Sequence, residues 1–300
     1  MGVNLKEVRD RMASVQNTQQ ITKAMKMVSA AKLRRAQDAI TDLRPYANKL
    51  EEILANLADN VDSEGLQELT EKREVKQVLL VIVTSSKGLC GAFNSNVIKA
   101  ARGKLEGEYA DVVENGGMKL VFIGKKGREY FKNKYPKAAK VDDYVELIDK
   151  PNFDDAAALA NLMMLRFRQK KYDRIDVAYS EFQNAAVQNF KVYPFLPVNT
   201  DIAEDQASKE ADNEADYIFE PNKDQLLVQL IPSILRTQIY RFLLDTSASE
   251  HGARMTAMDK ATDNASDLLK ELKINYNKAR QEAITRELSE IVGGAAALEG

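Results

Sequence analysis

The sequence predicts an α/β protein plus coiled coil: a long antiparallel two-helix coiled coil from the N- and C-terminal segments, with a central Rossmann-like α/β domain. Three observations predict it. Heptad-spaced apolar residues run through both ends of the chain, strand and helix patterns alternate in the middle, and Gly and Pro (14 and 7 of 300 residues) are rarer than usual and scarcest at the ends. The expected divisions are 1–58 for the first helix, 74–200 for the α/β domain, 201–221 for an acidic linker, and 222–300 for the second helix, paired with 1–58.

The first helix follows from the seam Leu5, Val8, Met12, Val15, Gln19, Thr22, Lys26, Ser29, Leu33, Ala36, Ile40, Leu43, Ala47, Leu50, Leu54 and Leu57, in which only the four residues from Gln19 to Ser29 are polar. There Ile21, Met25 and Val28 carry the apolar character on a neighbouring face, so the seam is expected to rotate away from its first partner and imply a second.

The same 3,4 spacing returns in Ala248, His251, Met255, Met258, Thr262, Ala265, Leu269, Leu272, Tyr276, Ala279 and Ala283. Upstream, from Asn222 to Leu244, Pro232 removes a backbone donor and is expected to kink or restart the helix; downstream, Gly293 and Gly294 are expected to loosen it after about Ile291. At ~1.5 Å per residue, Leu5–Leu57 spans roughly 80 Å and Asn222–Ile291 roughly 105 Å. If the two leave one compact unit together, about one to two dozen C-terminal residues project past Met1, and Ile284, Leu288, Ile291 and Val292 then need a partner of their own.

In the middle, VKQVLLVIVT (75–84) reads as a buried strand, followed by a turn and a helix over Val97–Leu105. Strand Lys119–Gly124, helices Arg128–Lys134 and Asp154–Arg168, and a hairpin of Arg174–Phe182 with Val187–Tyr193 complete a mainly parallel sheet. Asp201–Glu220 carries eight acids against one lysine, the composition of a solvated linker, and residues 59–73 form the matching exit from the first helix.

Composition limits the chemistry. One Cys permits no internal disulfide and no Cys-based zinc site, and one His leaves little for a metal centre or paired catalytic histidines. The longest apolar run, Val78–Val83, is far short of the ~18 residues a membrane helix needs. The N-terminus lacks a signal-peptide core, so an intracellular or reducing compartment is expected.

The loop Ser85–Asn94 sits where phosphate loops sit, after a strand and before a helix, but Gly88 and Gly91 give G-x-x-G rather than either phosphate fingerprint, and a tight turn is the better reading. Cys90 reads as a buried thiol and His251 as a packed seam residue. Between Arg11 and Gln37 stand Lys23, Lys26, Lys32, Arg34 and Arg35 with no acid, a solvated face or a dock for an acidic partner; a net charge of −2 and the lack of interleaved aromatics argue against nucleic acid.

Four blocks then carry a resemblance: ITKAMKMVSAAKLRRAQ (Ile21–Gln37), KGLCGAFN (Lys87–Asn94), SEHGARMTAMDKATDNA (Ser249–Ala265) and YNKARQEAITRELSEIVGGAAA (Tyr276–Ala297). Over essentially its whole length the chain resembles the gamma subunits of rotary F-type ATP synthases. It departs from the common pattern at Ser86 and Lys87 (often Asp-Arg), Ala92 (often Gly) and Gly252 (often Ala).

The resemblance implies a central rotor shaft that couples proton-driven rotation of the membrane c ring to conformational cycling of catalytic beta subunits. It implies no catalytic, cofactor or metal site on this chain. The implied partners are three alpha and three beta subunits, the epsilon subunit and the c-subunit ring, without nucleic acid and without direct membrane insertion. Matched residue by residue, contacts to beta or alpha subunits are expected at Lys23, Met25, Lys26, Arg254, Arg280, Gln281, Thr285 and Glu287. The bearing tip is expected at Ile284, Leu288, Ile291 and Val292, and epsilon or c-ring contacts at Tyr217, Phe219 and Glu220.

With Cys90 alone, plant-type thiol switching is excluded. The expected location is peripheral, on the cytoplasmic side of a bacterial inner membrane. Two rivals make different predictions: a free-standing coiled-coil adaptor would need no nucleotide-dependent partner, and an enzyme using the 87–94 loop would turn over alone and fail on Cys90→Ala.

Overall fold

A computed structural model describes residues 5–58, 68–198 and 223–299, with the side chains of residues 48, 51–58, 223–228 and 296–299 left aside. In chain order the elements are α1 (Leu5–Ala58), β1 (Val78–Val83), α2 (Phe93–Glu106), α3 (Ala110–Glu114), β2 (Met118–Ile123), α4 (Lys125–Phe131), β3 (Ala139–Val141), α5 (Phe153–Arg168), β4 (Arg174–Phe182), β5 (Gln188–Leu196) and α6 (Lys223–Glu299). The chain divides into two compact units, Met1–Ser29 with Arg254–Gly300, and Ala30–Ala253; both divisions fall inside the long helices. The expected linker 201–221, residues 59–67 of the exit segment, and Tyr217, Phe219 and Glu220 lie outside the described residues.

In the first unit α1 and α6 pair antiparallel. Thr22, Ser29, Met258, Ala265, Leu272 and Ala279 are buried, and Met12, Val15, Gln19, Lys26, Met255, Thr262, Leu269 and Tyr276 are half-buried, all at predicted seam positions. The expected rotation of the seam does not occur. Gln19, Thr22, Lys26 and Ser29 stay on it, while Ile21 and Val28 are 60% and 58% exposed. Polar residues can hold a seam position when the facing helix supplies partners, and here it does, as described below.

The second unit is built on a five-stranded sheet of order β3-β2-β1-β4-β5, parallel except for β5. Central β1 is buried along its whole length, as a continuous Val/Leu/Ile run between two parallel neighbours requires. Its alternate residues divide the core. Leu79, Val81 and Val83 pack with α5 (Leu159, Met163, Phe167) and the first part of α6 (Ile231, Leu235, Ile239, Phe242). Val78, Leu80 and Ile82 pack with α2 (Phe93, Val97, Leu105), Tyr109 and Phe131. The heptad of α1 continues here through buried Leu33, Ala36, Ile40, Ala47 and Leu50.

The paired ends and the α/β middle thus match the expected class. Two expectations bear on α6. The helix does not restart at Pro232, and it continues beyond Gly293 and Gly294 to Glu299. At Pro232 the loss of ~3 kcal/mol is offset by the burial of Ile231 and Leu235 on the sheet, each contributing about 1.5–3 kcal/mol. At the other end, Ala295–Ala297 are strong helix formers that carry the segment past the two glycines. The short β3 and α3 were not foreseen, because three or five residues show no readable period.

A buried charged bolt ties α2 and α3 to β4. The Tyr109 hydroxyl donates to Asp176 Oδ2 (2.5 Å), Arg174 Nε donates to Asp176 Oδ1 (3.2 Å) and Arg174 Nη1 to Glu108 Oε1 (2.8 Å), while Lys104 closes on Glu108. Burial pushes the Asp176 carboxyl and the Tyr109 hydroxyl upward, and the Lys104 ammonium holds Glu108 below the usual carboxylate range.

Candidate functional site

The polar stretch of the seam is a ladder between the two helices of the first unit. Gln19 Nε2 donates to Ser266 Oγ (2.6 Å), the Thr22 and Thr262 hydroxyls lie 2.8 Å apart, and Lys26 Nζ donates to Asp259 Oδ1 (2.5 Å). Further along, Arg9 Nη2 donates to the Tyr276 hydroxyl (2.9 Å). In every pair the two residue numbers total 284 or 285, which fixes one antiparallel register and sets Leu5 level with Arg280. Asp259 and Ser266 were missed from sequence, although each adjoins a seam residue and faces a polar seam position on α1. Lys26 and Asp259 are 40% and 48% exposed, so their pairing is modest. A double-mutant cycle of Lys26→Ala and Asp259→Ala, read by urea unfolding of the full chain, should give about 0.3–1 kcal/mol of coupling that shrinks in high salt.

The sequence-predicted contact residues fall into three settings. Lys23 is exposed beside Ile21, Ala24 and Val28, which recur on the side of α1 away from the seam, and Met27 is also exposed; Met25 and Lys26 are half-buried. This face joins apolar groups to a cation in a stretch without acids. Arg280, Gln281, Thr285 and Glu287 are exposed on α6, with the Thr285 hydroxyl donating to the Gln281 carbonyl (2.9 Å). Arg254 differs: it is 7% exposed and engaged within the chain. Arg254→Ala therefore perturbs the fold, and its phenotype does not isolate a partner contact.

Past Arg280 no described residue of α1 accompanies α6. Among the described side chains Ala279 is the last buried one, and Ile284, Leu288, Ile291 and Val292 are 48%, 57%, 67% and 66% exposed. Among the described residues this end of α6 is thus an exposed apolar stretch.

The 85–94 loop is closed on itself. Asn94 Oδ1 accepts from the Ser85 backbone N–H (3.0 Å), Asn94 Nδ2 donates to Cys90 Sγ (3.2 Å), and Cys90 is buried. Next to it, Gly127 N–H donates to Thr84 Oγ1 (2.8 Å), so the end of β1 and the start of α4 bond to each other directly. Among the described residues no cluster of three or more metal-ligating side chains occurs, and no helix is long and apolar enough to cross a membrane.

One unit is an antiparallel pair of long helices with a mixed polar and apolar seam, whose second helix ends in an exposed apolar stretch, and the other is an open, mainly parallel α/β sheet: a coiled-coil protein with an α/β domain. A sequence model of the family described as ATP synthase matches residues 4–298. The chain is 49% identical over 295 residues to the ATP synthase gamma chain of Cytophaga hutchinsonii, covering 98% of this chain and 99% of that one. It is 48% identical to the gamma chain of Flavobacterium psychrophilum, covering 99% of each. Among solved structures it resembles a chain of the Tetrahymena thermophila mitochondrial ATP synthase central stalk and c ring, with TM-score 0.55 and 27% identity over 80% of this chain and 99% of that one. A Euglena gracilis mitochondrial ATP synthase chain shares the fold, with TM-score 0.62 and 21% identity over 98% and 94%. The chain belongs to the ATP synthase gamma-chain family.

Proposed function

We propose that this chain is the central rotor shaft of an F-type ATP synthase, coupling proton-driven rotation of a c ring to the conformational cycling of catalytic beta subunits, in synthesis or in hydrolysis. It is a non-catalytic subunit. Its partners are three alpha and three beta subunits, an epsilon subunit and the c ring, and it sits peripherally on the cytoplasmic side of a bacterial inner membrane.

The observation that carries this reading is the unpaired, apolar end of α6 in a member of the gamma-chain family. A rod with few directional groups can turn in an apolar sleeve without sticking at any one angle, because dispersion and desolvation do not fix orientation as hydrogen bonds do. Arg280, Gln281, Thr285 and Glu287 border that rod and supply a small number of polar contacts to beta or alpha subunits. The Ile21–Lys23–Val28 face of α1 supplies a second contact, to an acidic and apolar beta-subunit surface. Each must differ between the open and closed states of its neighbour, since only differential contact can bias an equilibrium.

Co-expression with the neighbouring subunits tests the reading. The chain should co-purify in an assembly that hydrolyses ATP; isolation only as a free chain, with the ATP-hydrolysing subunits assembled without it, contradicts the proposal.

A further inference from the structure

Strand β4 outruns β1. The last paired residues of that ladder are Ile82 and Ala178, so Tyr179–Phe182 have only β5 beside them. On the opposite side α6 supplies the missing partners: the Ser180 N–H donates to Thr246 Oγ1 (3.4 Å) and Ser249 Oγ donates to the Ser180 carbonyl (3.5 Å). The Phe242 ring stands 4.2 Å from Tyr179 and 5.3 Å from Tyr193, and Gly252 lies so close to the hairpin turn that a Cβ there would come within 3.1 Å of Ala185 Cα. All four helix residues belong to one contact between α6 and the β4–β5 hairpin.

In the middle of that contact sits Asp245, 5% exposed. Its surroundings come from four elements. Arg241, one turn earlier on α6, places Nε 4.0 Å from Oδ2; Glu181 on β4 is already paired to Lys191 of β5 (2.9 Å); Arg44 contributes a cation from α1; and Tyr179 on β4 lies near enough for the two groups to interact electrostatically. A carboxylate so buried, with the Arg241 cation at the limit of ion-pair distance and a second carboxylate acting on it, is poorly compensated, whereas the neutral acid carries a much smaller desolvation cost.

The geometry points to a proton-dependent clamp between α6 and the β4–β5 hairpin, with Asp245 as its switch. Burial first, and then Glu181, raise the Asp245 carboxyl from 3.8 to about 6, against the opposing pull of Arg241, Arg44 and Lys191. With the clamp open the group returns to its ordinary value. The closed form therefore binds the proton more tightly: the clamp is firmest in acid, weakens as pH rises from about 4 to about 6, and stays at the weakened level above that. Its consequence for torque rests on the shaft reading, since α6 would carry the turning moment and the sheet the foot; acidification would stiffen the joint between them. The clamp itself is a property of the chain alone.

The test uses the isotopically labelled full chain. Amide hydrogen exchange of β4 and β5, corrected for the intrinsic pH dependence of exchange, should show protection at pH 5 about tenfold above that at pH 7.5. Asp245→Asn should abolish the ratio and Glu181→Gln should reduce it. In the unsubstituted chain the Asp245 carboxyl carbon should titrate with a midpoint near 6. An unchanged ratio in Asp245→Asn, or a carboxyl midpoint below about 4.5, overturns the clamp, and neither depends on whether the chain enters an ATP synthase.

Discussion

Ile291→Asp is expected to leave the isolated chain as stable as before and to abolish its assembly. Ile291 is 67% exposed on the part of α6 that α1 does not accompany, so an aspartate there meets water and shifts stability by no more than about 0.5 kcal/mol. In an apolar sleeve the same carboxylate has no water and no partner, at a cost of several kcal/mol. At 1.4 kcal/mol per tenfold, the assembled complex should fall by at least about 100-fold. Thermal melting of the isolated chain and the yield of ATP-hydrolysing complex measure the two halves, with Ile291→Leu as a control that should behave as the parent. Normal assembly of the aspartate variant would remove the apolar bearing from the account.

Gly124→Ala is expected to be the most damaging of the glycine substitutions near the strand ends. Gly124 joins β2 to α4 with φ of +93°, and a Cβ there would lie 2.0 Å from the Thr84 carbonyl oxygen and 2.6 Å from its carbon. Relief requires β1 and β2 to part at the core of the sheet, because the Gly124 N–H is also held by the Val145 carbonyl (2.9 Å). A loss of about 3 kcal/mol or more should appear in urea unfolding, whereas Gly88→Ala, with nothing within 4 Å of its added Cβ, should cost about 0.5 kcal/mol or less. The contrast separates packing from ligand binding as the reason for glycine at this end of the sheet; equal effects would contradict the packing reading.

The long helices were legible because heptad spacing is a strong, repeated signal: from Val8 to Leu50 the predicted seam positions are buried or half-buried wherever their side chains are described. The same rule misleads at Gln19–Ser29, where polarity reads as departure from the seam. A one-chain pattern does not show what the facing helix offers, and Asp259, Thr262 and Ser266 keep those residues in place. Propensity alone misleads about a restart at Pro232 and a loosening at Gly293–Gly294, since it omits burial in the first case and the alanines that follow in the second. The overhang was legible from helix lengths alone, and the exposure of Ile284–Val292 follows from it. The burial of Arg254 was not legible: charge argues for a surface, and only three-dimensional packing reveals that the side chain is enclosed. Asp245 gave no signal in sequence either, as an acid on a helix near the seam reads as solvated.

The central claim is that this chain turns. With the beta subunits of the reconstituted assembly fixed to a surface and a bead attached through Lys132→Cys, an exposed position just after α4 that leaves buried Cys90 unlabelled, ATP should drive stepped, one-way rotation of the bead. ATP hydrolysis at an undiminished rate with the bead stationary, or wandering without direction, would contradict the account.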